Sequence, residues 1–257
     1  MNTTQRWVRF ERQGSVGFGT LDGSSIAVYG GELFAAHSAT GQHLPLADVK
    51  LLMPVRPGKV LALWNNYHAL AAKLGLADPA EPLYFMKAPS SYLNPGEAIV
   101  APPGQGKVVF EGELAIVIGK RAKAVSEAKA LEHVFGYTCC NDVTAAEVLN
   151  RDVSFAQWVR AKSYDGFCPL GPCIATGLDP ATLVVKTWLD GQLRQDYPVA
   201  DIRFSVPQLV SLISHDMTLE PGDVILCGTS IGVGSMKPGS TVSVSIDGIG
   251  TLINRFE

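Results

Sequence analysis

Two carboxylates stand two residues apart inside an otherwise apolar stretch, Phe110-Glu111-Gly112-Glu113-Leu114-Ala115-Ile116-Val117-Ile118-Gly119. Read as a β-strand, this segment puts Glu111 and Glu113 on one face, because side chains at i and i+2 point the same way. Phe110, Leu114, Ile116 and Ile118 then form the opposite, core-facing side. Two unit charges roughly 4 Å apart repel by about 4 kcal/mol at an effective dielectric near 20. A hard divalent cation, which takes carboxylate oxygens, relieves that repulsion. The same spacing also suits a strand whose second face is wet, with both glutamates in solvent.

Three further features bear on chemistry. Asp142 ends an apolar run just before Thr144-Ala145-Ala146-Glu147, a capping-box pattern that opens a helix. With Glu111 and Glu113 it makes three carboxylates, a set that with waters suits Mg²⁺ or Mn²⁺ and leaves room for a chelating substrate. Alone, Asp142 equally suits a helix-entry residue accepting backbone N–H bonds. Lys162, in the segment Arg160–Pro172, reads as a loop lysine that either pairs with a substrate carboxylate or oxyanion or is simply solvated. Gly228-Thr229-Ser230-Ile231-Gly232-Val233-Gly234 lets backbone N–H groups approach an anion, and also suits a plain turn between strands. It is no P-loop, since the Gly-Lys-Ser/Thr ending is missing.

The elements that must position these groups are mostly strands. Trp7–Phe10, Val16–Gly19 and Ile26–Tyr29 are short β-like pieces, and Pro54-Val55-Arg56-Pro57-Gly58 marks a linker, which predicts a small N-terminal domain over residues 1–55 and a catalytic domain over 56–257. Val60–Trp64, Leu83–Lys87, Phe135–Asn141, Val224–Cys227 and Val242–Ile246 read as strands. Tyr67–Leu74, closed by Gly75, and Ser126–His133 read as helices. Asp190-Gly191 signals a type I′ hairpin within 183–195, and Ser205-Val206-Pro207-Gln208 is a capping box opening a helix to about His215. Strands outnumber helices without regular interleaving, so the expected class is α+β and β-rich, not a doubly wound sheet.

The chain's 257 residues, 47% hydrophobic and 18% charged, suffice for a large core. A net charge of −3 and the lack of a basic run argue against nucleic acid or an anionic membrane surface as partner. Met1–Arg6 has no apolar stretch behind it, which predicts no secretory signal, and no apolar run approaches the roughly 20 residues of a membrane span. The five cysteines, an odd number without paired C-x-x-C spacing, are expected to be reduced thiols in a cytoplasmic protein, not zinc ligands.

Taken in order, these patches resemble the fumarylacetoacetate hydrolase family. The matching pieces are Phe110–Lys120, Phe135-Gly136-Tyr137-Thr138 with Asn141–Ala145, Lys162–Gly171, Leu219–Ile225 running into Cys227-Gly228-Thr229, and Gly248–Asn254. The similarity covers roughly residues 58–257. It implies the family's mixed β-roll with a small N-terminal domain, a homodimer, and Mg²⁺, Mn²⁺ or Ca²⁺ held by Glu111, Glu113 and Asp142. It also implies Lys162 as a catalytic residue and Thr229 as a substrate-binding one. Implied substrates are small 2-oxo or 1,3-diketo acids and their enols. The implied reactions are hydrolysis of a C–C bond in an acylpyruvate or fumarylpyruvate-like acid or, alternatively, isomerisation, tautomerisation or decarboxylation.

The sequence departs from the family at the base. Aligning on Asn66-Tyr67, with Tyr67 carried over as substrate-binding, puts Leu70 and Lys73 where hydrolytic members carry His and Glu. His68, the remaining candidate base, lies two residues early, about 200° round a helix. The family's glutamine position holds Leu149, and Gln157 can take its place. Ser230 replaces the usual proline. Weakened water activation shifts weight towards enolate chemistry. A rival from another class is a catalytically silent metal- or metabolite-binding protein.

Overall fold

In the computed structural model, which describes residues 4–257, the carboxylate strand lies in the middle of a large mixed sheet. From one edge the order is His37–Pro45, Ser25–Gly31, Ser15–Asp22, Arg6–Arg12, Cys168–Ala175, Val134–Asn141, Gly112–Ile118, Val224–Leu226, Val60–Trp64 and Leu83–Lys87. Every neighbouring pair on this path is antiparallel except Val224–Leu226 with Val60–Trp64. The N-terminal strands are thus continuous with the rest through Arg6–Arg12 beside Cys168–Ala175. A five-stranded sheet of Gln192–Pro198, Val184–Leu189, Thr241–Ile246, Gly250–Phe256 and Ala98–Ile99 packs against it. The strand-rich α+β class agrees with the sequence reading. Residues 1–3, part of the expectation for Met1–Arg6, lie outside the described residues. Among the described residues no helix is long and apolar enough to cross a membrane.

Both faces of the carboxylate strand are covered. Leu114, Ile116 and Ile118 pack with Val185, Tyr197 and Val244, whereas Ala115 and Val117 pack with Val60, Ala62, Val224 and Leu226. The wet second face allowed by the spacing is therefore absent. Each leucine, isoleucine or valine side chain among them, fully buried, favours folding by roughly 1.5–3 kcal/mol.

Local signals held where they were self-contained. Asp190 and Gly191 have φ of 52° and 74°, as a type I′ turn requires. Gly75 caps the helix His68–Leu74 in the left-handed region, and Ser205 and Gln208 form the reciprocal capping box of Val206–Asp216. The Thr144 capping box did not form. Thr144 sits in a short strand, the helix Ala146–Leu149 begins after Ala145 without a side-chain cap, and the Thr144 hydroxyl bonds Glu111 instead. Lys162 likewise is no loop residue: it closes the helix Trp158–Lys162 and is buried.

Candidate active site

The carboxylates meet because the chain changes sheets between them. Val108–Phe110 belongs to a three-stranded sheet and Gly112–Ile118 to the large one, so Glu111 occupies a break and is not the regular i, i+2 neighbour that the spacing suggests. Gly112 makes the switch. A Cβ there would run into Thr187 Oγ1. Its N–H donates to Gln195 Oε1 at 2.9 Å, and its carbonyl accepts from Tyr197 Oη at 2.5 Å and Thr229 Oγ1 at 3.0 Å. Gln195 Nε2 also donates to Thr229 Oγ1 at 2.8 Å. Glu111 is pinned by its N–H to Asn141 Oδ1 at 2.9 Å and its carbonyl to Asp142 N at 2.8 Å. Ligand-capable oxygens of Glu111, Glu113 and Asp142 consequently lie within 4.8 Å of one another.

Two buried lysines enter the cluster. Lys162 Nζ donates to Glu111 Oε2 and Asp142 Oδ2, each at 2.6 Å, and Lys87 Nζ donates to Asp142 Oδ1. Glu113 Oε2 accepts from the Gly228 N–H at 2.7 Å, so the anion that the glycine loop approaches is the protein's own carboxylate. Glu113 Oε1 is buried with no partner. Burial, reinforced by the Asp142 charge, holds the Glu113 carboxyl well above the usual range. Burial also raises Glu111, against the pull of Lys162. Burial alone would raise Asp142 too, but Lys162 and Lys87 keep it below its ordinary value. Burial opposes the Lys162 charge, and Asp142 and Glu111 outweigh it and raise that ammonium's pKa.

This donor set fits a hard dication. Three carboxylates and two ammonium groups, all ionised, carry one net negative charge, and one buried carboxylate oxygen lacks a hydrogen-bond donor. Oxygen-only ligands of this kind suit Mg²⁺, Mn²⁺ or Ca²⁺.

The remaining expected residues divide. Thr229 is buried at the cluster's edge, with its hydroxyl engaged by Gly112 and Gln195. Tyr67 is buried, packs edge-on against Tyr197 at 4.9 Å, and leaves its hydroxyl without a partner. His68 is exposed at the start of its helix, its Nδ1 3.0 Å from Arg203, and makes no contact with the carboxylates. Arg203 is tied in turn to Asp78. Gln157 turns its amide to the Phe155 carbonyl at 3.2 Å. The buried glutamine that does reach the site is Gln195, in the hairpin. Sequence reasoning missed Gln195, Lys87 and Asn141. For Lys87 a signal existed, a lysine ending the apolar strand Leu83–Lys87. The five cysteines are buried, and burial pushes the thiols of Cys139, Cys140, Cys173 and Cys227 up, Cys173 to about 12, which leaves them poor nucleophiles.

Comparison with known proteins places this site in context. Residues 59–257 match the fumarylacetoacetate (FAA) hydrolase C-terminal family, and residues 5–54 match the Rv2993c-like N-terminal family. Protein Rv2993c of Mycobacterium tuberculosis is 43% identical over 224 residues, 86% of this chain and 83% of that protein. The crystal structure of 2-hydroxyhepta-2,4-diene-1,7-dioate isomerase from Mycobacterium marinum superposes with a TM-score of 0.90 at 38% identity, covering 98% of each chain. Maleylpyruvate hydrolase from Sphingobium sp. SYK-6, solved with manganese(II) and pyruvate, superposes with a TM-score of 0.79 at 30% identity, again over 98% of each chain.

Proposed function

The chain belongs to the fumarylacetoacetate hydrolase family, whose members are hydrolases or isomerases and decarboxylases, and from that premise we propose that it enolises a small 2-oxo carboxylic acid with the help of a divalent cation, to isomerise it. The observation that carries this reading is the Glu111, Glu113 and Asp142 cluster with Lys162 between two of its members. Those three residues would hold Mg²⁺, or Mn²⁺ or Ca²⁺. A cation there supplies Lewis acidity to the 2-oxo group and lowers the cost of enolate charge.

The chain's own groups do the rest. Lys162, fixed by Glu111 and Asp142, keeps a positive charge where an oxyanion develops, and a preorganised donor in a dry site is worth about 10²–10³ in rate. Lys87 shares the charge of Asp142 with Lys162. Gln195, Tyr197 and Thr229 fix Gly112, and with it the angle between the two glutamates. Isomerisation needs proton movement between carbons, whereas hydrolysis needs an activated water. The exposed position of His68 and the isomerase relative favour the first. Hydrolysis of a C–C bond is the second reading, supported by the hydrolase that binds manganese and pyruvate.

We also take residues 1–55 as a small N-terminal unit, 56–257 as the catalytic unit, and the working form as a homodimer. A panel of 2-oxo acids followed by ultraviolet absorbance and NMR, with and without Mg²⁺, tests the function. Metal-dependent movement of a double bond supports the proposal. Pyruvate released together with a second carboxylic acid replaces isomerisation with hydrolysis, and pyruvate released with carbon dioxide replaces it with decarboxylation. Binding without any loss of enol absorbance leaves a silent homologue.

A further inference from the structure

Three half-buried aromatic rings stand beside the carboxylate cluster and are not used in the chemistry above. Trp158 stacks on Phe85, with centroids 5.4 Å apart and planes at 22°, and meets Trp64 at 5.1 Å. Lys162 Nζ lies 5.4 Å from the centre of the Phe85 ring. Three different elements converge to build this shelf. In the helix Trp158–Lys162, positions i and i+4 share a face, so Trp158 sits one turn from the ammonium that binds the carboxylates. In the strand Leu83–Lys87, Phe85 and Lys87 share a face, and Lys87 reaches Asp142.

Register supplies the third element. Ala115, Leu226, Ala62 and Phe85 form one row across four strands. Glu113 and Trp64 each lie two residues further along in the same direction, on the same face. Between them comes Gly228, which binds Glu113 through its N–H and carries no side chain. Its φ of 87° strains any other residue, and a Cβ would lie 3.2 Å from the Leu63 carbonyl oxygen. Two interstrand spacings, about 10 Å, therefore separate Glu113 from Trp64 with a side-chain-free position between them.

We infer that the shelf of Trp64, Phe85 and Trp158 seats the far end of the substrate, and that this end is a planar aromatic or conjugated apolar tail, not a second carboxylate. The inference rests on the 2-oxo acid reading of the neighbouring cluster. Ring faces favour a stacked π-system, and among the described residues the one cation over an aromatic ring is Lys162, whose ammonium already holds two carboxylates. Arg160, the nearby alternative partner for a tail carboxylate, is two positions from both Trp158 and Lys162. It is exposed and points about 200° away round the helix.

Isothermal titration with saturating Mg²⁺ separates head from tail. Oxalate reports the head site alone; phenylpyruvate, 2-oxobutanoate and 2-oxoglutarate add an aryl, an alkyl and a carboxylate tail. Phenylpyruvate is expected to bind at least about tenfold more tightly than the other two tailed acids, about 1.4 kcal/mol. Trp158→Ala and Trp64→Ala are expected to erase that advantage and Trp158→Phe to keep most of it, while oxalate affinity in each variant reports an intact head site. An aryl advantage that is missing, or that survives both alanine substitutions while oxalate still binds, overturns the shelf and leaves the proposed function standing. Failure of oxalate to bind the unaltered protein overturns the 2-oxo acid reading, and the shelf with it.

Discussion

Lys162→Met exchanges a buried ammonium for an apolar side chain of similar length, and its cost can be worked from the contacts. Lys162 Nζ holds Glu111 and Asp142 at 2.6 Å each, with the lysine side chain 4% and the Asp142 side chain 1% exposed. After the substitution three carboxylates share one ammonium, that of Lys87. Removing one partner of a buried ion pair costs about 3–5 kcal/mol, and at roughly 2–4 °C per kcal/mol for a protein of this size the melting temperature falls by roughly 6–20 °C. A cation bound to the carboxylates supplies the missing charge. Mg²⁺ at about a hundred times its Kd contributes about 2.7 kcal/mol, and the stronger negative potential of the variant makes its Kd lower than that of the parent. Thermal melts over a MgCl₂ titration near neutral pH therefore show a larger Mg²⁺-induced rise in the variant, while turnover falls by about 10²-fold or more. A variant that melts within about 1 °C of the parent, or that gains less from Mg²⁺ than the parent, refutes the charge balance on which the site is built.

His68→Ala is expected to leave kcat within threefold of the parent, since His68 is exposed against Arg203; a loss of a hundredfold in steady-state assays would return the proton transfer to His68. Gln195→Ala removes the acceptor for the Gly112 N–H and the donor to Thr229. It should cost about 1–3 kcal/mol in denaturant melts and weaken Mg²⁺ binding severalfold, whereas an unchanged Mg²⁺ Kd contradicts the bracing role. Glu113 has a folded pKa above its unfolded one, so its contribution to stability is present at low pH and is lost as pH rises from the ordinary carboxylate range through the raised value. Because a ligand must be deprotonated, Mg²⁺ affinity should rise over that same window, with proton release measurable by calorimetry in buffers of different ionisation enthalpy; binding independent of pH there removes Glu113 from the ligand set.

What could be read from the sequence was what depends on neighbours along the chain. The Asp190-Gly191 turn and the Ser205 capping box needed nothing from elsewhere and formed as expected. Thr144 offered an equally good local signal, but Glu111, thirty-three residues away in sequence, took its hydroxyl. The carboxylates were visible by residue type, yet the reason they converge was not, because it lies in a switch between sheets at Gly112 held by Gln195 and Tyr197 from a distant hairpin. Gln195 carries no motif in the sequence, and Lys87 shows there only as a lysine ending an apolar strand. Their importance comes from pairings that span 55 and 83 residues. Gln157 and His68 were chosen by proximity to motif positions; Gln157 turns its amide to the carbonyl two residues back, and exposed His68 lies against Arg203.

Anomalous diffraction from crystals grown with Mn²⁺ tests the central claim most directly. A single strong manganese peak bound by oxygens of Glu111, Glu113 and Asp142, and lost in Glu113→Ala, is the predicted result. Manganese bound elsewhere, or a peak unaffected by removing Glu113, contradicts the account.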